Sequence, residues 1–230
     1  MYPILRAVMH LLAAVILFRT KHVRGLEKVP RTGPVLVVGN HIASLDPPFT
    51  GAMVKRFDVY YMAKSEYFEK RLQRWMFKAY NAFPVVRHSA DRQALKQALQ
   101  VLQDGHVLMM YPEGTRSRDL RMHRPFAGAG FLARKSAAPI VPVAVWGSEG
   151  VLPTGASWPR RAHVYVQFGD PFLLPERNAD GTPMSHQQSA DHMMARVAEM
   201  LPEQYRGVFG PGGDVAAAEP GGSVSASPAA

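Results

Sequence analysis

A layered α/β fold with a largely parallel central sheet flanked by helices is what this sequence predicts, and three observations predict it. Short apolar runs rich in β-branched residues alternate with segments whose apolar residues recur at helical spacing. Two of those runs, residues 34–39 and 106–111, stop abruptly at polar turns carrying His, Asp, Glu and Arg; open α/β sheets place their binding crevices at such strand ends. The chain's 230 residues are enough for one sizeable core and too few for two.

The elements follow in order. Residues 1–18 are rich in Leu, Ile, Val, Ala and Met, but Arg6 and His10 interrupt them and Arg19, Lys21 and Arg24 follow. The uninterrupted stretch Leu11 to Phe18 is far short of the ~20 residues needed to cross a bilayer as a helix. No small-residue cleavage site follows it, only Arg-Thr-Lys-His. Segment 1–20 therefore reads as a helix lying in the membrane interface, its basic end toward anionic headgroups; the alternative is an amphipathic helix packed on the domain's own sheet. Residues 21–206 form the folded domain. Its first clear strand is Pro34-Val35-Leu36-Val37-Val38-Gly39, buried and stopped by Gly-Asn.

Straight after it comes Asn40-His41-Ile42-Ala43-Ser44-Leu45-Asp46. The spacing lets a short turn fold Asp46 back onto the His41 ring. A carboxylate on one ring nitrogen fixes the tautomer and leaves the other nitrogen to accept a proton. Ser44 lacks the small-residue elbow with which a Gly-x-Ser-x-Gly hydrolase exposes its nucleophile. Residues 59–62 give another strand, with Lys64 just beyond it. Residues 66–80 have helical spacing, and the stripe of Phe68, Leu72, Trp75, Met76 and Ala79 is expected to face the core. Residues 89–103 form a clearer helix, with Leu95, Leu99 and Leu102 at turn spacing, Ser89 or Asp91 as cap and Gly105 as stop.

The strand at residues 106–111 runs into Pro112-Glu113-Gly114-Thr115-Arg116-Ser117-Arg118. Pro112 ends the strand, Gly114 permits a tight turn, and Arg116 offers a planar fork of donors suited to a phosphate. A short helix at 128–137, strands at 140–146 and 163–168, and an amphipathic helix at 185–201 complete the domain. Pro142 marks its strand as an edge or a bulge. From residue 207 to 230 Gly, Ala, Pro and Ser dominate, so this tail is expected to be disordered.

Composition narrows the partners. With no cysteine, the chain has neither disulfides nor thiol catalysis. Its 27 Lys and Arg against 18 Asp and Glu leave a net charge of +9, which favours anionic partners. No zinc-knuckle spacing or aromatic-glycine RNA-binding signature is present, so nucleic acid is not expected and lipid or phosphate remains. No His-x3-His or equivalent cluster joins His41, Asp46 and Glu113, and no metal is expected.

Asn-His-x4-Asp followed by Pro-Glu-Gly-Thr-Arg, in that order, resembles the glycerolipid acyltransferases, typified by the 1-acylglycerol-3-phosphate O-acyltransferases. The similarity extends to Val23-Arg24-Gly25-Leu26-Glu27, Ala63-Lys64-Ser65-Glu66, Phe83-Pro84-Val85-Val86-Arg87 and Ala138-Pro139-Ile140-Val141-Pro142-Val143, covering roughly residues 20 to 150. The chain departs from the family's pattern at Val86, where an acidic residue often stands, at Asn81, where Gly is usual, and at Ala127, where Lys commonly precedes the helix Gly. These positions belong to the acceptor side of the family's pocket.

The resemblance implies an O-acyltransferase that moves a fatty acyl group from acyl-CoA or acyl-carrier protein to the hydroxyl of 1-acylglycerol 3-phosphate, giving phosphatidic acid. It implies His41 as base, Asp46 as its orienter, Arg116 with Lys64 and Arg87 on the acceptor phosphate, Gly114 and Thr115 in the same turn, and Glu113 contacting the acceptor glycerol or bracing Arg116. No bound cofactor is needed. The partners implied are a membrane lipid acceptor, an acyl thioester donor and an anionic membrane surface, with the protein held peripherally or monotopically at the cytoplasmic face of the cell membrane. Another lysolipid or a glycolipid acceptor is the alternative within the family; a membrane-bound esterase or a silent lipid-binding protein is the alternative outside it.

Overall fold

The computed structural model describes residues 22–87, 89, 91–153, 156, 158 and 160–221, together with Ile4, Ala7, Val8 and Leu11. Strands β1 (Val23–Arg24), β2 (Val35–Gly39), β3 (Val59–Lys64), β4 (Ala82–Val85), β5 (Val107–Met110), β6 (Ile140–Trp146) and β7 (Tyr165–Phe168) form one sheet in the order β1-β7-β6-β2-β5-β3-β4. All the strand pairings are parallel except β6 with β7. The helices are α1 (Asp46–Met53), α2 (Arg71–Ala79), α3 (Arg92–Gln103), α4 (Ala127–Ser136) and α5 (His186–Ala198).

Strand β2 lies between β5 and β6 and is buried throughout, which explains its continuous apolar sequence: both of its faces are covered. Alternate residues serve different cores. Val35 and Val37 join Phe49, Tyr61, Met109 and Val143 on one face. Leu36 and Val38 join Ala98, Leu132 and Met193, from α3, α4 and α5, on the other. Asp91 caps α3 by accepting the Ala94 N–H, and its second oxygen accepts the Val86 N–H, both at 2.9 Å, tying the chain beyond β4 to the helix. Ser185 and Gln188 form a capping box on α5. At the amino end of the sheet, buried Arg56 pairs with Asp58 and donates to the carbonyls of Gly33 (2.6 Å) and Gly105 (2.7 Å), joining the loops that enter β2, β3 and β5. The carboxyl end is left for function.

The structure departs from the sequence-based expectations in several places. The helical pattern at 66–80 breaks into a 3-10 turn, Ser65–Phe68, and α2, and no residue of α2 is buried, so Leu72, Trp75 and Met76 do not face the core. Only Phe68 of that stripe does. Pro142 is not on an edge, because β6 pairs on both sides. It does sit at a bulge: Ile140 bridges Phe172 while Val143 pairs with Phe168, so the chain returning beside β6 holds one residue more. Strands β1 and β4 went unread because two and four residues carry little periodicity. Residues 207–221 of the segment expected to be disordered make defined contacts with the domain. Arg124 donates to the carbonyls of Ala216 (2.8 Å) and Ala218 (3.1 Å), and the Gly221 N–H donates back to the Arg124 carbonyl (2.8 Å). Residues 222–230 lie outside the described residues, as does most of the 1–20 segment expected at a membrane interface.

Candidate active site

Parallel pairing brings the carboxyl ends of β2, β3, β4, β5 and β6 to one side of the sheet, and every candidate residue ends or follows one of them. His41 lies two residues beyond β2, and Asp46 opens α1. Pro47 and Pro48 follow Asp46 in the first turn, where the N–H that proline lacks has no helical partner to lose.

The His41 Nδ1 lies 3.0 Å from Asp46 Oδ2. That oxygen also accepts the N–H groups of Ile42 (2.8 Å) and Ala43 (2.7 Å), while Oδ1 accepts the Ser148 hydroxyl at 2.6 Å. Asp46 is fully buried and surrounded by donors, so the carboxylate is fixed before it acts on the ring. The His41 side chain keeps 12% of its surface open and leans on the Tyr111 ring, with centroids 4.7 Å apart. The Tyr111 hydroxyl meets Thr50 Oγ1 at 2.8 Å; burial first, then the charge of Asp46, pushes the phenol well above its ordinary range. Among the described residues, His41 Nε2 has no hydrogen-bond partner.

The two polar turns are one structure. The Ser117 N–H donates to the His41 carbonyl at 2.8 Å, and Arg116 Nη1 donates to Ser44 Oγ at 2.7 Å. Arg116 is exposed and Thr115 half-buried. Gly114 has φ 71°, and a Cβ there would meet the Phe126 ring at 2.8 Å, so only glycine fits the turn without displacement. Glu113 is corrected: it is wholly buried and cannot contact an acceptor. Its oxygens accept the His41 N–H (3.3 Å), the Ser117 hydroxyl (2.8 Å) and the His123 N–H (2.9 Å), so it braces the backbone of both turns rather than Arg116. Burial outweighs those donors and raises its pKa to about 7.

Lys64, at the end of β3, pairs with Glu66 at 2.6 Å, and this contact pulls the Glu66 carboxyl down to about 2. Arg87 is half-buried, and desolvation lowers its pKa; Tyr67 and Glu66 oppose that shift, and the nearby charge of Arg116 adds to it. Arg87 and Arg116 thus share one electrostatic neighbourhood. Among the described residues, no group of three or more His, Asp and Glu side chains is arranged to hold a metal ion.

Ser148 and Asn40 complete the site and were missed. Ser148 follows β6 in a 3-10 turn, Ser148–Gly150, and reaches Asp46 across 102 residues of sequence, a separation no local pattern reveals. Asn40 accepts the Val145 N–H and donates to its carbonyl, both at 2.8 Å, locking the end of β2 to β6. Together these contacts give an imidazole with one nitrogen held and the other open, in a turn to which the exposed Arg116 is hydrogen-bonded. That arrangement suits proton abstraction next to a bound anion.

Residues 20–146 match the acyltransferase family model, and the chain belongs to that family. It is 30% identical over 122 residues to the 1-acyl-sn-glycerol-3-phosphate acyltransferase of Bacillus subtilis, an alignment covering 53% of this chain and 60% of that one. The protein of the same name from Streptococcus pneumoniae is 28% identical over 161 residues, covering 67% and 56%. The chain therefore spans about 60% or less of the length of these curated relatives. The crystal structure of the 1-acyl-sn-glycerophosphate acyltransferase PlsC from Thermotoga maritima superposes with a TM-score of 0.66 at 23% identity, covering 85% of this chain and 76% of that one, a likeness of fold.

Proposed function

We propose that this acyltransferase-family protein moves a fatty acyl group from an acyl thioester, acyl-CoA or acyl-carrier protein, to the free hydroxyl of 1-acylglycerol 3-phosphate, giving phosphatidic acid. The observation that carries the reading is the His41–Asp46 pair, held at 3.0 Å with Nε2 open and with Arg116 hydrogen-bonded into the same turn. The names of the relatives support the choice of acceptor.

An alcohol holds its proton too tightly to attack at neutral pH. In the proposed step His41 Nε2 takes that proton as the oxygen bonds to the thioester carbonyl, an assistance of about a hundred- to ten-thousand-fold. Asp46 stabilises the imidazolium that forms. When the tetrahedral species collapses, the C–S bond breaks and the imidazolium proton leaves with the thiol. The acceptor itself is the nucleophile, so no acyl-enzyme forms. Ser44 Oγ accepts from Arg116 and, among the described residues, has no hydrogen bond to His41, which disfavours the esterase alternative. Arg116, aided by Arg87 and Lys64, holds the phosphate and so holds the hydroxyl within reach.

Among the described residues no helix is long and apolar enough to cross a membrane. Peripheral attachment at the cytoplasmic face through the N-terminal segment belongs to the same proposal.

Purified protein given a labelled acyl thioester and a panel of lysolipids tests the reading. Transfer should favour the phosphate-bearing acceptor. Arg116→Ala should lower kcat/KM for that acceptor by about tenfold or more, with little change in donor KM. Equal losses on an acceptor without phosphate would assign Arg116 to structure and point to another lysolipid or glycolipid.

A further inference from the structure

Helix α2 turns its apolar residues away from the protein. At about 100° per residue, Trp75, Ala79, Leu72 and Met76 fall on one arc of the helix. Trp75 is 53% exposed, Leu72 77% and Met76 46%. The opposite side is what attaches the helix: Phe77 stacks on Tyr67 at 4.9 Å and packs against Phe68 at 5.7 Å. Lys70, Arg71 and Lys78 are exposed, Arg74 turns back to donate to the Phe68 carbonyl at 2.6 Å, and no acidic residue lies between Lys70 and Lys78. A helix with an outward aromatic-aliphatic face and a cationic flank matches the pattern of interfacial helices.

Its position is equally specific. The 3-10 turn before α2 leaves β3 directly from Lys64, and the Tyr80 hydroxyl after it donates to the carbonyl of Pro48, two residues past Asp46 (3.0 Å). The helix therefore ends beside the first turn of α1, which Asp46 opens.

We infer that α2 seats in the headgroup region of an anionic lipid bilayer, with Leu72, Trp75 and Met76 buried at the acyl boundary and Lys70, Arg71 and Lys78 on lipid phosphates. Charge complementarity selects this occupant. Segment 1–21 of the same chain contains Arg6, Arg19 and Lys21 and no acid, so it offers nothing to Lys70, Arg71 and Lys78. A second copy docked through this face would bring like charges together. An anionic bilayer satisfies both halves of the helix. The consequence for catalysis rests on the function proposed above: a lysolipid acceptor would reach His41 beside the helix without leaving the membrane.

Brominated lipids, which quench tryptophan on contact, test the inference. Full-length protein mixed with vesicles of phosphatidylcholine and brominated phosphatidylglycerol should lose tryptophan emission, and Trp75→Phe should remove most of that quenching, although Trp146 and Trp158 remain. Flotation of Leu72→Ser/Met76→Ser with the same vesicles should weaken by about tenfold or more at unchanged melting temperature. Quenching that is equal in Trp75→Phe overturns the inference. So does a double variant that floats normally, or one that changes oligomeric state or unfolds early, since the face would then be covered by a second copy or by the N-terminal segment. The quenching is read without substrate. A protein quenched through Trp75 but inactive on every acceptor would overturn the proposed function and leave this placement standing.

Discussion

At the scale of the residue, the site depends on a buried carboxylate with four donors. Asp46 holds His41 with one oxygen, yet the position of that oxygen is set by Ile42, Ala43 and, through Oδ1, Ser148. Ser148→Ala deletes one of the four. The expected result is a fall in kcat of roughly tenfold with acceptor KM little changed, because a buried hydrogen bond to a charged group is worth about 1.5–3 kcal/mol and part of that acts through the ring. A proportional rise in KM would place Ser148 in acceptor binding instead. Glu113 provides a second test, through pH. Its folded pKa, about 7, lies above the 4.5 of an ordinary glutamate, so the folded state binds the proton more tightly than the unfolded one. The stability from that proton is fully present below about pH 4.5 and is lost as pH rises through about 7, at most about 3 kcal/mol. In Glu113→Gln, stability measured by urea unfolding at pH 5 and pH 7.5 should fall less across that window than in the native protein; an identical fall would assign the dependence elsewhere. That His41 would meet Asp46, with Arg116 at a neighbouring strand end, was legible in the sequence because polar residues crowd where apolar strands stop. Glu113 sits in the same crowd but was expected on the acceptor glycerol or on Arg116, since a strand-end turn gives no sign of being covered by the chain at His123.

At the scale of the element, β2, β6, α3, α4 and α5 were read from the sequence, whereas α1 was not. Strand β2 stands out because it is apolar on both faces, and α3 because Asp91 caps a helix whose Ala94, Ala98, Val101 and Leu102 are buried. Helix α2 was misplaced because amphipathic spacing states that a helix has an apolar face, not which side of the protein that face is on. The Asp91 cap has a reach beyond its helix, since it also holds the Val86 N–H next to Arg87. Asp91→Ala should cost about 1 kcal/mol of stability and raise the KM for a phosphate-bearing acceptor by freeing Arg87. A stability loss with no change in acceptor KM would show that the cap serves the fold alone. These backbone hydrogen bonds also hold the Asp91 carboxyl below its usual range, so its contribution is present above about pH 4 and fades in more acid solution.

At the scale of the whole molecule, the parallel sheet does the assembly. It places the ends of β2, β3, β4, β5 and β6 side by side, so residues remote in sequence meet at one edge, while Arg56 closes the other. The order of strands could not be read from the chain, and so neither could the partnership of Ser148 with Asp46. The stretch 207–221 was hidden for a different reason: beyond Phe209, which packs on the core, it is held largely by its own backbone groups, bonded to Met122 and to the Arg124 side chain and backbone. The central claim is that this whole arrangement serves one open nitrogen on His41. The direct measurement is turnover of a labelled acyl thioester onto 1-acylglycerol 3-phosphate by His41→Ala, made alongside its thermal unfolding. The account predicts a loss of about a hundredfold or more in a protein whose melting temperature is nearly unchanged. A folded His41→Ala protein that keeps turnover within about tenfold of native would contradict it.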